Sequence, residues 1–314
     1  MKLVSIVTPC YNEEHNIEEV YEKTKAVFQS LPQYNYEHIF IDNASTDHTL
    51  QKLKAIVSKD THVKVIVNSR NFGHIRSPYH ALLQARGDAV ISLVADLQDP
   101  PAVIKDFLNQ WEKGYKIVIG VKPKSEESKI MFAIRRLGYY FIGRLADIKM
   151  IKNFTGFGLY DKEVITILRS YDDPYPYFRG MIADIGFDIA EIPYHQPKRK
   201  QGLTKNNFYT LYDIGMLGIT SYSKIPLRLA TMAGFLLAFL SLIISVVFFI
   251  LKLMFWNRFN AGMAPILIGL FFFSSVQLFF IGLLGEYIAS INTRVMKRPL
   301  VVEKERINFD SNSS

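Results

Sequence analysis

Two long stretches without a single charged side chain limit what this chain can become. Residues 229–251 read LATMAGFLLAFLSLIISVVFFIL, and residues 261–285 read AGMAPILIGLFFFSSVQLFFIGLLG. A helix needs about 20 consecutive apolar residues to cross the hydrocarbon core of a bilayer. A core helix of a soluble protein keeps a polar stripe where it meets water, and neither stretch has one. The pair therefore predicts a two-helix transmembrane hairpin over 225–290. The connector between them holds only Lys252 and Arg258. The flanks are far more basic, with Lys198, Arg199, Lys200, Lys205, Lys224 and Arg228 before the pair and Arg294, Lys297 and Arg298 after it. Cytoplasmic flanks carry the excess of Lys and Arg. The expected layout is thus a multi-pass protein of the cytoplasmic (inner) membrane. Residues 1–205 and a basic tail at 291–314 both lie in the cytoplasm.

The segment at 206–224 lies between domain and membrane. Phe208, Leu211, Tyr212, Gly215, Leu217, Ile219 and Tyr222 loosely follow helical spacing, which predicts an amphipathic helix in the interface. The formal net charge of +8 is accounted for by a membrane and needs no nucleic-acid partner. Cys10 is the single cysteine, so the chain has no disulfide framework and suits a reducing compartment. The apolar run Leu3 to Pro9 is too short for a signal peptide.

Before residue 205 the pattern alternates. KLVSIVTP, HIFIDN, VKVIVNS and DAVISLVAD are short runs rich in β-branched residues. NIEEVYEKTKAVFQSL, STDHTLQKLKAIVSK and SPYHALLQARG lie between them with helical spacing. Strands alternating with helices build βαβ units and a mostly parallel, Rossmann-like α/β sheet. Ligands of such sheets bind beyond the carboxyl ends of the strands. Those ends read Pro9-Cys10-Tyr11-Asn12-Glu13, Asp42-Asn43, Arg70-Asn71-Phe72-Gly73 and Asp96-Leu97-Gln98-Asp99.

Acids and amides stand at all of these ends. Asp42 and Asp47 could serve as helix caps. Asp96 cannot be dismissed that way, because Pro100 and Pro101 follow at once and set a rigid turn. Asp96 and Gln98 offer oxygen to a hard cation, Mg²⁺ or Mn²⁺, with phosphate oxygens completing the shell. No G-x-G-x-x-G follows the first strand and no P-loop lysine motif occurs, which disfavours a dinucleotide fold and an ATPase. No His/Cys cluster has zinc spacing.

TPCYNEE, FIDNASTDHT, NFG and ADLQDPP, in this order and ahead of two membrane helices, resemble family 2 glycosyltransferases of the GT-A fold. Within that family the chain is similar to the polyprenyl-phosphate sugar transferases. The resemblance implies a nucleotide pocket lined by Pro9, Tyr11 and Glu13, with Tyr11 against the base and Glu13 near the ribose. It implies that Asp42 accepts a hydrogen bond from the base edge. Asp96 and Gln98 would hold the metal on the donor diphosphate. The implied reaction is inverting transfer from a nucleotide sugar, such as UDP-glucose or UDP-GlcNAc, to undecaprenyl phosphate, serving cell-envelope polysaccharide. Lys122, Arg135, Arg199 and Lys205 are the candidates to meet the acceptor phosphate. His74, Arg76, Phe157 and Tyr160 are expected to choose the sugar. Relatives with this layout often associate through their membrane helices, so a homo-oligomer is a further implication.

The chain departs from the family pattern twice. Val94 stands where many relatives carry a further aspartate, and Gly156 stands where they carry the aspartate assigned as base. A phosphate monoester has its second pKa near 6, so it is largely ionised at neutral pH and needs little help from a base. That favours a lipid-phosphate acceptor over a sugar hydroxyl. Asp161 and Asp184 are the spare acids, and Asp161 is expected to start the helix DKEVITILRS. A processive synthase is disfavoured, since neither Trp111 nor Trp256 lies in a Q-x-x-R-W motif. A non-catalytic membrane scaffold is the remaining alternative, and Asp42, Asp96 and Gln98 weigh against it.

Overall fold

The computed structural model describes residues 1–122, 151, 154–196, 208–255 and 263–309. The first β-branched run forms β1 (Lys2–Cys10), and α1 (Ile17–Gln29) returns the chain to β2 (Tyr34–Asp42). The cycle repeats through α2 (Thr49–Val57), β3 (Val63–Asn68), α3 (Gly73–Gln84) and β4 (Ala89–Ser92). Then follow α4 (Ile104–Glu112), β5 (Ile117–Val121), β6 (Phe154–Asp161), α5 (Lys162–Ser170), α6 (Phe178–Asp184) and β7 (Ile189–Pro193). The last elements are α7 (Phe208–Tyr222), α8 (Ile225–Met254), α9 (Met263–Val295) and β8 (Glu303–Ile307).

The strands make one eight-stranded sheet in the order β7-β5-β6-β4-β1-β2-β3-β8. The pairs β1–β2, β1–β4, β2–β3 and β5–β7 are parallel; β4–β6, β5–β6 and β3–β8 are antiparallel. The central strands are covered on both faces, so Val4, Ile6, Ile39, Phe40, Ile41, Val65, Ile66 and Ile91 are buried on either side of the sheet. Complete burial of such a side chain contributes about 1.5–3 kcal/mol. The register sets Cys10 opposite Asp42, and Asp42 opposite Val67. Three strands therefore end level, and their following loops open on one edge.

Some boundaries differ from the sequence reading. The third helix starts at Gly73, within the NFG motif, and carries Pro78 inside it. The fourth strand ends at Ser92 and does not run through Asp96. The tail holds a strand where only basic character was read: β8 lies antiparallel to β3, pairing Ile307 with Val65.

The chain divides into two units. One carries the sheet and includes the chain from residue 296 onward; the other is helical and includes 208–295. In the helical unit, α8 has 30 residues and α9 has 33. Both are long and apolar enough to cross a membrane, and none of their apolar windows is buried. Phe235 and Phe279 are 74% and 69% exposed, so these helices are not buried as core helices within this chain. Tyr287 of α9 donates its hydroxyl proton to the Ser223 carbonyl at 2.8 Å, and Arg294 reaches Ser221 Oγ at 2.7 Å. These bonds tie the end of α7 to α9.

Candidate functional site

The loop after β4 shows most directly how the fold presents its polar groups. Leu93, Ala95, Leu97 and Asp99 are buried, while Val94, Asp96 and Gln98 are half-buried. Burial alternates through this turn, with one set of side chains in the core and the other partly exposed. Leu93, Ala95 and Leu97 join the hydrophobic core. Asp96 and Gln98 are thus the partly exposed polar pair of the turn, and Asp96 Oδ1 accepts from the Gln98 backbone N–H at 3.1 Å. Leu97 between them has φ 58.

The same backbone device recurs at two other strand ends, at Asn12 with φ 57 and Ala44 with φ 59. A residue with a Cβ is disfavoured there, by about 1–2 kcal/mol. Such strain persists where surrounding bonds over-determine the loop, and it concentrates at functional sites.

Those bonds are visible. Asn12 Oδ1 accepts from Thr46 N at 2.8 Å, and Asn12 N donates to Ser45 Oγ at 2.9 Å. Glu13 N donates to Thr49 Oγ1 at 2.8 Å, and Asp47 Oδ2 accepts from Glu14 N at 3.2 Å. Asp47 Oδ1 also accepts from Thr49 N at 3.0 Å, one residue ahead of His48, which holds the cap position of α2 that one reading of the sequence gave to Asp47. Glu13 Oε2 accepts from Asn16 Nδ2 at 2.6 Å. Pro9, Tyr11 and Glu13 remain half-buried at the lip of this stitched pair of loops.

Asp42 is only 1% exposed, and both its carboxylate oxygens accept from Ser45 N at 3.3 Å. Burial pushes its pKa up, and the Ser45 hydrogen bonds oppose that shift. Cys10 beside it is buried. Desolvation, and then the charge of Asp42, pushes its thiol pKa well up, so it is not a nucleophile.

Asn43 holds the third loop, a role without any local sequence signal. Its Nδ2 donates to Asn71 Oδ1 at 2.9 Å and to the Gly73 carbonyl at 3.2 Å. Its Oδ1 accepts from Phe72 N at 2.9 Å and Asn68 Nδ2 at 3.0 Å. Gly73, with φ 83, supplies the left-handed turn into α3.

The sequence reading also missed the part played by Asp99. Its carboxyl is 4% exposed and accepts from the Tyr194 hydroxyl at 2.5 Å. Burial pushes its pKa up to about 6, against the Tyr194 hydrogen bond and the Lys122 charge. Lys122, expected at the acceptor, thus stands close enough to act on Asp99. Arg135, Arg199 and Lys205 lie outside the described residues.

At Gly156 the backbone has φ 105, a conformation that side chains with a Cβ rarely adopt. The backbone of β6 therefore favours glycine at this position. Asp161 accepts from Glu163 N at 2.9 Å and from Trp111 Nε1 at 2.7 Å, so it caps α5 as expected. Phe157 and Tyr160, expected to face the sugar, are 2% and 0% exposed within β6. Arg76 turns to the Pro299 carbonyl of the tail.

Among the described residues no group of three His, Cys, Asp or Glu side chains could hold a metal ion by itself. Asp96 and Gln98 are hard oxygen donors two positions apart in one partly exposed turn. They fit a cation that completes its shell with phosphate oxygens.

Residues 5–167 match the family described as "Glycosyl transferase family 2". The chain is 31% identical over 303 residues to the SfII prophage-derived bactoprenol glucosyl transferase of Shigella flexneri, covering 96% of this chain and 97% of the relative. It is 30% identical over 308 residues to the uncharacterized glycosyltransferase YkcC of Bacillus subtilis (strain 168), covering 98% and 95%. Mannosyl-3-phosphoglycerate synthase from Rubrobacter xylanophilus superposes with a TM-score of 0.50 at 17% identity, over 74% of this chain and 75% of that one. That likeness concerns the fold.

Proposed function

The chain belongs to glycosyl transferase family 2, and from that premise we propose that it moves a sugar from a UDP-sugar to a polyprenyl phosphate at the cytoplasmic face of the membrane. One observation carries the reading. The likeness to bactoprenol glucosyl transferases runs over 96% of the chain, so it takes in both long apolar helices as well as the sheet.

In this reading Tyr11 and Pro9 flank the base, Glu13 lies toward the ribose, and the buried Asp42 carboxylate accepts from the base edge. Asp96 and Gln98 would hold Mg²⁺ or Mn²⁺. The cation supplies charge neutralisation on the departing diphosphate. The acceptor phosphate oxygen attacks the anomeric carbon as the bond to the nucleoside diphosphate breaks, and the bonding pair leaves with the diphosphate. The anomeric configuration inverts. No base is required, which agrees with a glycine conformation at Gly156. Lys122 is the described cation of the set expected near the acceptor.

The pairing of β8 with β3 supports the membrane layout. The chain enters and leaves the apolar pair in one folded unit, which fits an even number of crossings. With the basic flanks, that unit belongs in the cytoplasm.

The test is a lipid-product assay. Full-length protein in detergent receives undecaprenyl phosphate, Mn²⁺ or Mg²⁺ and a panel of radiolabelled UDP- and GDP-sugars. The expected result is that one sugar moves to the organic phase and that Asp96→Ala abolishes the movement. If label transfers only to a glycan or glycolipid hydroxyl, a lipid phosphate is the wrong acceptor class. If nothing transfers and UDP does not bind, the enzyme reading fails.

A further inference from the structure

Arg70 and Arg76 share the Phe72 ring, and Arg298 adjoins Pro299, the tail residue that Arg76 contacts. The Arg70 guanidinium lies 4.0 Å above the centroid of the buried Phe72 ring, and that of Arg76 lies 5.3 Å from the same centroid. Arg298 comes from the tail, and Arg76 Nη2 donates to the carbonyl of the adjacent Pro299. The Nε of Arg76 is buried and has no hydrogen-bond partner.

Burial, then the charges of Arg70 and Arg298, push the pKa of Arg76 down. Only Tyr175 acts the other way, and no carboxylate takes part. Asp172 and Asp173 line a neighbouring cavity of about 250 Å³ together with Arg298. None of the three arginines forms an ion pair with a described carboxylate.

Like charges brought together, with one donor buried and unmet, are costly unless an anion completes the group. Guanidinium groups are suited to phosphate, because their planar donors match its oxygens in pairs. The position says which phosphate. Val295 ends α9, and Arg298 follows three residues later. Cations immediately past a membrane helix sit at the level of the lipid headgroups.

We propose that Arg70, Arg76 and Arg298 form an anion site that takes the phosphate of a lipid headgroup, separate from the metal position at Asp96 and Gln98. Phe72 gives two of the guanidinium groups a common aromatic contact. The tail supplies the third, so the site exists only when the segment before β8 is in place. The lipid phosphate and free phosphate share the same oxyanion chemistry, and the experiment separates them.

Full-length protein in detergent is titrated by calorimetry with dihexanoyl phosphatidic acid, dihexanoyl phosphatidylcholine and inorganic phosphate. UDP is titrated on the same preparation to verify folding, and it needs no sugar transfer. The expected result is saturable binding of phosphatidic acid by the unaltered protein. Combining Arg76→Gln with Arg298→Gln weakens it by about tenfold or more, as loss of charge-assisted bonds should. Arg76→Lys keeps the charge, loses the paired donors and falls between the two. If inorganic phosphate binds as tightly with the same arginine dependence, the site is an anion site supplied from solution, and the lipid assignment is withdrawn. Equal binding by the unaltered protein and the double variant, with UDP binding intact in both, overturns the site altogether.

Discussion

The Tyr194 hydroxyl donates to Asp99 Oδ1 across 2.5 Å, joining residues 95 positions apart in the chain. The bond locks the turn that carries Asp96 and Gln98 against the end of β7. Packing supports the arrangement: the Phe157 and Tyr194 rings meet edge to face at 5.2 Å.

Tyr194→Phe keeps the ring and removes the hydroxyl. It leaves the Asp99 carboxyl buried without that donor, which costs about 1–3 kcal/mol. The expected outcome in urea denaturation is a lower midpoint with an unchanged slope. Transfer should also fall, with a higher Mn²⁺ requirement, because the turn holding Asp96 is loosened. An unchanged Mn²⁺ dependence alongside the lost stability would mean that the bond serves the fold alone.

Gly156→Asp introduces the acid that the family resemblance led us to expect here, and it should not add any function. At φ 105 a side chain with a Cβ is strained, by about 1–3 kcal/mol. We expect lower thermal stability and no gain in transfer to a lipid phosphate. A gain in turnover at undiminished stability would show that the backbone at this position accepts an acid and that the reaction uses one.

The two glycine and tyrosine positions mark what could be read from the sequence. The strand-end clusters were legible because chemistry and local pattern coincide there: apolar runs stop, and Asp42 or Asp96 follows within a few residues. The apolar pair was legible because no charge interrupts it. Asp99 stood in the same motif, yet its partner Tyr194 is remote in the chain and has no local signal. Asn43 reads as an ordinary strand-end amide, although its side chain organises Asn68, Asn71, Phe72 and Gly73. The strand β8 was illegible for a different reason. EKERI carries too little apolar character to announce a strand, and at a sheet edge it needs little. Its pairing is fixed by partners on remote elements, such as Lys54 with Glu305 at 2.8 Å and Asn308 Nδ2 with the Val63 carbonyl at 2.8 Å.

Acid should release that strand. Glu303 faces His80 of α3, at 2.5 Å, and Arg306 of β8. Burial alone would raise its pKa, but hydrogen bonds from His80 and Arg306 outweigh it and bring the value down to about 2 from an ordinary 4.5. Because the folded value is depressed, the stabilisation is complete above pH 4.5 and is lost as pH falls toward 2. Hydrogen exchange at β8 amides should therefore accelerate between those limits. Glu303→Gln should be less protected at pH 7 and show little further change on acidification. Identical profiles for the two proteins would assign the acid response to other groups.

Metal removal tests the partly exposed polar pair of the β4 turn. Asp96 supplies a carboxylate and Gln98 a neutral amide oxygen, and no third acid among the described residues joins them. Substrate phosphate must then complete the shell, so cation affinity should rise when UDP is present. Chelation with EDTA should stop transfer, and Mn²⁺ or Mg²⁺ should restore it. Losing the charge stabilisation that such a cation gives is worth several kcal/mol, so Asp96→Ala should lower turnover by about a hundredfold or more. Gln98→Ala should lower it less, since a neutral donor is replaced by water at smaller cost. Transfer that survives EDTA, or that Gln98→Ala damages more than Asp96→Ala, would sink the assignment of these two side chains to the cation.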